Sequence, residues 1–388
     1  MTFSSENLFL YRAKFIMKSL GVWIPSKNES LTRKVHRIFT MTIQYLLLTF
    51  QMIHIFQVWG DLEAVSQACY LMFTQACLCF KITVFQVNMG MLRQLIIQMN
   101  ADIFRPRSIE HEKILTFHAS RIKRLLLAFM LTSQTTCALW ALKPLLDDKG
   151  TRNFPLEMWM PLTNEKSPQY ELGYLFQFLS VSMSAFMYFG VDSVTFSMII
   201  FGCAQIDIVK NKIMNVASTR NTKGSARSKL LTDNHKILVE CVVQHQAVIT
   251  LTQLAENTYH TYLFFQLSGS VGIVCMSALR ILVIDWQSMQ FFSIALYLSV
   301  MTCQLFICCW CGHELTAGSE ELHTVMYKCM WYEQDIKFKR DLCFAMMRMS
   351  RPMVFRAGHY ITLSRQTFVT ILRMSYSYFA VLNQTNKN

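Results

Sequence analysis

The sequence predicts an all-α membrane protein of seven crossing helices, with its N-terminus in the cytoplasm and its C-terminus outside. Three observations lead there. The 388-residue chain is 53% hydrophobic and only 16% charged, with a positive mean hydropathy. Seven apolar stretches divide it, near 37–59, 62–86, 125–142, 171–201, 259–284, 289–312 and 366–385. Each matches the roughly 20 helical residues that cross a bilayer. Finally, basic residues alternate between gaps. The N-terminal arm and the second, fourth and sixth gaps carry seven Lys and Arg each, whereas the opposite side has only Lys143, Lys149, Arg152, Lys166 and Lys387. Basic loops stay cytoplasmic, which sets the orientation. Backbone groups in lipid must be satisfied within the chain, so the spans are helices.

The elements follow in order. Residues 1–36 form a cytoplasmic arm, with no cleavable-signal pattern. Over 1–20, Glu6, Arg12, Lys14 and Lys18 mix with apolar residues, which predicts an amphipathic helix on the inner membrane surface, ended near Gly21 and Pro25. Residues 37–312 hold spans one to six. Their outer connections at 60–61 and 285–288 are very short, so spans one and two, and five and six, are helical hairpins. The inner segments 87–124, 202–258 and 313–365 carry apolar residues at helical spacing, as Leu322, Val325, Met326, Cys329 and Met330 do, so helices are expected to continue into the cytoplasm. The polar run 216–228 is expected to be flexible. Residues 313–365 form a cytoplasmic helical anchor, in which Ala357-Gly358 marks a break and a short helix leads to Arg365. Residues 366–388 supply the seventh helix and a short outer tail.

Charge and chemistry exclude several classes. The net charge of +13 needs no nucleic-acid partner, because it faces anionic lipid at the inner surface. The 13 cysteines lie in spans or on the cytoplasmic side, and the outer loop 143–170 has none, so there is no disulfide-built outer domain and any ligand site is made of helices. Cys308-Cys309-Trp310-Cys311 suits packing or palmitoylation better than metal, since adjacent helical residues diverge by about 100° and cannot converge. No nucleotide loop, cofactor motif or catalytic constellation appears, so the protein is not expected to be an enzyme. The Asp-Arg-Tyr and Asn-Pro-x-x-Tyr elements of G-protein-coupled receptors are missing and the topology is opposite. The odd crossing number and absence of repeats disfavour a transporter. Lys81 and Asp192 sit near inner span ends, where they are expected to snorkel. Arg280 lies near an outer end, and Arg373 is expected to face another helix.

The closing run Ser375-Tyr376-Ser377-Tyr378-Phe379-Ala380-Val381-Leu382 resembles the C-terminal signature of the insect odorant receptors. Gly21-Val22-Trp23, the outer-loop residues Pro155, Trp159, Pro161, Pro168 and Tyr170, and the inner series Gly312, Leu315, Ser319, Tyr327, Trp331, Arg351-Pro352 and Ala357-Gly358 are similar to that family in the same order. The resemblance spans the whole chain. It implies a tuning subunit of a tetrameric, odorant-gated, non-selective cation channel in the plasma membrane of olfactory dendrites, assembled with a shared co-receptor. The long insertion between the fourth and fifth helices that marks the co-receptor is absent. The related gustatory receptors are the alternative: Tyr378 and Gln384 keep their closing spacing, but both flanks differ.

Site expectations combine spacing with that resemblance. Val381, Gln384 and Thr385 share one helix face at i, i+3 and i+4. In a ring of seventh helices an aliphatic side chain can close a pore by dewetting, and an amide can contact passing cations without strong selection. The resemblance places the gate at Val381. For a small, mostly apolar volatile, Ser133, Thr136 and Trp140 on the third helix resemble the family's pocket stripe. Cys69, Tyr70 and Phe73 on the second helix, Phe178, Val181 and Ser182 on the fourth, and Phe292 and Leu296 on the sixth are its expected companions. Ordinary helix packing is the competing reading for each of them.

Overall fold

The computed structural model describes residues 4–23, 30–60, 62–146, 153–162, 167–220 and 223–385. Ten α-helices follow one another: α1 Ser5–Ser19, α2 Leu31–Gln57, α3 Leu62–Val87, α4 Met89–Met99, α5 Ile109–Leu146, α6 Gln169–Met214, α7 Gly224–Val283, α8 Met289–Lys328, α9 Ile336–Met349 and α10 Arg365–Thr385. Helix ends at the charge-poor, outer side fall close to the predicted span limits. The inner ends run far beyond them, as the apolar spacing of the inner gaps predicts. At 60 residues, α7 is roughly 90 Å long, three times a bilayer's hydrocarbon thickness. Residues 224–228, expected to be flexible, are its first turns.

α6 is the hub. Over Met187–Ile206 its side chains are buried on every face, and it packs against α1, α3, α5, α7 and α8. α1 is amphipathic as predicted, and the chain leaves it through Gly21 at φ +73°. Its apolar face, however, does not lie in lipid. Phe9, Leu10, Ala13 and Met17 are buried against α6, with Phe9 edge-on to Phe201 at 5.5 Å. Burial of that stripe in protein is the stronger option because α6 presents Gly190 there, and Met17 fills the space a side chain would take.

Two expectations are corrected. Lys81 and Asp192 do not snorkel. They form a 2.6 Å ion pair at 1% and 0% exposure, joining α3 to α6 inside the bundle. Gln304 of α8 donates to the same carboxylate, and the Lys81 ammonium lies 3.9 Å from the Tyr188 ring centroid. Two buried charges are cheaper together than either alone. Second, no short helix leads into α10. Arg356–Ala357 (β1) and Ile361–Thr362 (β2) pair antiparallel as a hairpin, in register Arg356 with Thr362 and Ala357 with Ile361. Gly358 and His359 both have positive φ, +60° and +65°, as the central pair of a β-turn in which the Tyr360 amide donates to the Ala357 carbonyl at 3.2 Å, and residues 358–360 link the paired strands. The turn docks on α7, where the Gly358 amide donates to the His260 carbonyl at 2.9 Å and the Phe264 ring occupies the space beside the glycine.

On the inner side, His235 of α7 meets Asp341 of α9 at 2.9 Å. That hydrogen bond holds the Asp341 carboxyl below its ordinary range. Cys308, Cys309 and Cys311 are buried in the helix core, the packing alternative of the two expected.

The hairpin delivers the chain to α10 across α8 at Gly312. A methyl group there would stand 2.7 Å from the Leu363 carbonyl oxygen and overlap the Leu363 side chain. Gly312→Ala is therefore expected to destabilise the α8–α10 junction by about 1–3 kcal/mol, the usual penalty for overpacking. A lower melting temperature of the detergent-solubilised protein checks it. An unchanged melting curve would mean the junction has room to spare.

Candidate ligand site and pore helix

The outer halves of α2, α3, α5, α6 and α8 line a small cavity of about 70 Å³. Helical spacing builds its walls. Leu71, Thr74, Gln75 and Leu78 form the α3 stripe, Ser133, Thr136, Cys137 and Trp140 the α5 stripe, and Val181, Ser184, Ala185 and Tyr188 the α6 stripe. Tyr297, Val300 and Met301 close it from α8, and Leu47 and Gln51 from α2. Most of this surface is aliphatic or aromatic, so burial of apolar ligand surface is the available driving force.

The polar groups are largely organised among themselves. Gln75 donates to the Gln44 side-chain oxygen at 2.9 Å, and Ser184 donates to the same oxygen at 2.5 Å. Thr74 and the Tyr297 hydroxyl share a short hydrogen bond, and Tyr297 also donates to the Tyr70 carbonyl at 3.2 Å. Thr136 donates back to the Thr132 carbonyl at 3.0 Å. Tyr188 borders the cavity, and the Lys81 ammonium lies over its ring.

Of the predicted pocket residues, Ser133, Thr136, Trp140 and Val181 line this cavity. Tyr70 and Phe73 stand just behind the wall. Tyr70 packs on Tyr297 with ring centroids 5.2 Å apart, and Phe73 joins the same cluster from its edge. Cys69 is buried one contact further away, with Ile55 and Ala68. Phe178 and Phe292 are exposed on the outside of the bundle, and Ser182 and Leu296 are half-buried away from the cavity. None of these four lines this cavity. Lipid tails are as apolar as a protein interior, so hydrophobicity alone does not reveal which helix face points inward.

Sequence reasoning missed α2, Leu156, Tyr188 and Tyr297. A usable signal existed for α2: Gln44 and Gln51 lie two turns apart within an apolar run, and polar side chains in a membrane helix turn toward the bundle. Leu156 had no such signal. It descends from the outer loop between the cavity and an open vestibule lined by His54, Tyr70, Phe154 and Glu157. Leu71, Trp140 and Leu156 border both spaces and so form the partition. Gln177 clamps it, accepting from the Leu156 amide at 2.9 Å and donating to its carbonyl at 3.2 Å. Gln177→Ala is expected to loosen the partition. Loss of the pair of hydrogen bonds should cost about 1 kcal/mol, read as a lower melting temperature of the solubilised protein. An unchanged melting curve would show that Leu156 is held by other means.

α10 has a different character. Six described helices are long and apolar enough to cross a membrane, and α10 is not among them. It has the length, at 21 residues, but its polar residues lower its hydropathy. One side packs on α7 and α8 through Ile371, Ser375 and Phe368, whose ring meets Phe306 edge-on at 5.5 Å. Gln366, Thr370, Arg373, Ser377, Val381 and Gln384, spaced three or four apart, are all exposed on another side. Arg373 thus does not pack against a helix of its own chain. Val381, 60% exposed, is the one aliphatic residue of this stripe. Thr385 ends the helix, and its side chain lies outside the described residues.

Comparison with known proteins agrees with this architecture. The family model "7tm Odorant receptor" matches residues 61–376. Similar curated proteins include odorant receptor Or1 of Anopheles gambiae, 22% identical over 94% of this chain and 93% of that one. Odorant receptor 46a, isoform A, of Drosophila melanogaster is 25% identical over 98% of both. The solved olfactory receptor OR5 of Machilis hrabei, in complex with eugenol, superposes with a TM-score of 0.81 over 97% of each chain at 15% identity, which establishes the shared fold. The whole-chain resemblance and the family match converge: this chain belongs to the insect odorant receptor family of multi-pass plasma-membrane proteins.

Proposed function

We propose that this chain is the odour-tuning subunit of an odorant-gated, non-selective cation channel assembled with a co-receptor subunit. A small, mostly apolar volatile enters the cavity beneath Leu156 and favours the open arrangement of α10. Its higher affinity for that state supplies the coupling free energy. The observation that carries the channel reading is the exposed stripe of α10. A helix with Gln366, Thr370, Arg373, Ser377 and Gln384 on a face unpacked in its own chain is poorly suited to lipid and well suited to a water-filled path. One such helix cannot enclose a pore, so the reading requires a ring of subunits, four by family resemblance. In that ring Val381 is the dewetting constriction and Gln384 stands just outside it, with Thr385 at the mouth.

The remaining parts take roles by position. Residues 1–36 form the cytoplasmic arm, 37–312 the six helices around the ligand site, 313–365 the anchor that joins subunits, and 366–388 the pore element. Sparse basic charge on the outer side keeps cations from being repelled at the mouth. Currents in cells expressing this chain with the co-receptor, challenged with a broad volatile panel, test the proposal. Odorant-evoked cation current absent from co-receptor-only cells is expected. Silence at verified surface expression counts against it.

A further inference from the structure

We infer that the inner end of the bundle holds an anionic phospholipid of the inner leaflet, its phosphate between Arg12 of α1 and Lys123 of α5. The fold brings these two cations together from 111 residues apart, where the Arg12 guanidinium donates to the Lys123 main-chain carbonyl at 3.5 Å. Burial, and then the Arg12 charge, hold the Lys123 ammonium below its ordinary range. Like charges set side by side repel unless an anion answers them. Elsewhere at this end the chain supplies one, as Glu6 does for Lys14, Glu240 for Arg107 and Glu314 for Arg121. Among the described residues no carboxylate pairs with Arg12, Lys123 or the neighbouring Arg124.

Depth and surroundings say what the anion is attached to. Lys123 stands just before the apolar span 125–142, so the basic pair lies at the inner boundary of the bilayer, at the level of anionic headgroups. Tyr11 and Phe15, one turn apart on α1, face away from the stripe buried on α6 and are 63% and 66% exposed. Aromatic rings beside basic side chains suit a helix face that lies in the headgroup region. Toward the apolar layer, Leu125 and Leu131 of α5 are also exposed and continue the surface away from the charges. A soluble phosphate would use only the charges. A phospholipid uses the charges for its headgroup and the apolar side chains for its glycerol and acyl portions.

The test measures binding of a fluorescent short-chain phosphatidylserine to the detergent-solubilised full chain. Wild type is expected to bind it about fivefold or more tightly than the matching phosphatidylcholine, and Arg12→Gln and Lys123→Gln should each weaken it about fivefold, the worth of one basic residue at an anionic surface. Arg12→Lys and Lys123→Arg keep the charge and should bind nearly as wild type does. Arg227→Gln with Lys229→Gln removes charge from exposed positions at the start of α7 and should change little. Glycerophosphoserine, the headgroup without chains, should compete poorly. Arg12 is exposed and Lys123 has no carboxylate to lose, so both glutamine variants should fold; if one does not, the other decides. Equal affinity for the two lipids, unchanged affinity in the glutamine variants, or an equal loss in the Arg227 and Lys229 variant overturns the inference. So does as large a loss in the charge-keeping variants, which would point to packing. Competition by the bare headgroup at the lipid's own concentration would make this a soluble-phosphate site and overturns it too.

Discussion

Replacing Asp192 with asparagine, or Lys81 with methionine, is expected to remove most of this receptor from the cell surface. The two charges meet at 2.6 Å with almost no exposure, in a helix bundle surrounded by lipid. Either single change leaves the other charge buried without its partner. Breaking a buried pair in this way costs about 3–5 kcal/mol, a large share of a typical folding free energy. The environment offers little relief. Lys81 is packed over Tyr188 and faces Tyr262, whose hydroxyl is engaged with Thr195, and Asp192 also holds Gln304. Replacing both together, Lys81→Met with Asp192→Leu, should recover much of the loss, because an apolar pair of similar volume needs no desolvation of charge. Surface labelling and melting of the solubilised protein measure both effects. Single variants that reach the surface at wild-type levels and melt normally would show that the pair contributes little. The pair also adjoins the cavity, since Tyr188, which lines it, has the Lys81 ammonium over its ring. Variants rescued by the double change should therefore show altered odorant sensitivity even at full expression.

The second large effect is expected at Val381. If this residue is the constriction of a ring of α10 helices, Val381→Asn should wet the closed pore and produce current without odorant, several-fold above the wild-type baseline at matched expression. A pore closed by dewetting depends on an apolar lining, and a single polar ring lowers the cost of water entering it. Ser377→Cys, one turn inward on the same exposed stripe, should become sensitive to block by a charged thiol reagent. Cys343, exposed on α9, must first be shown silent to that reagent. An unaltered baseline and gating in Val381→Asn would end the gate assignment. A reagent-insensitive Ser377→Cys with intact currents would turn the stripe away from the ion path.

How much of this was legible beforehand differs by element. The outer helix ends were legible because a bilayer imposes length and polarity limits that composition must obey. The long inner helices were legible because their apolar residues recur at helical spacing well beyond the bilayer. The hairpin at 356–362 was not. Gly358 signals a break, but the positive φ of His359 goes with a turn held against His260 and Phe264, on a helix more than 90 residues earlier. The lining of the cavity was legible on α5, where Ser133, Thr136 and Trp140 share one face, and on α6 at Val181. Phe178 and Phe292 look like lining by composition, yet they are exposed on the outside of the bundle.

The amino-acid sequence by itself determined the helical membrane fold class and the family, because bilayer thickness and an ordered set of motifs act along the chain. Tertiary structure alone decided that Lys81 answers Asp192 rather than the membrane surface and that Leu156 descends to divide vestibule from cavity. Those outcomes depend on which helix faces meet. In lipid, where inside and outside are equally apolar, packing and the need to pair buried polar groups settle that question, and no local pattern encodes it.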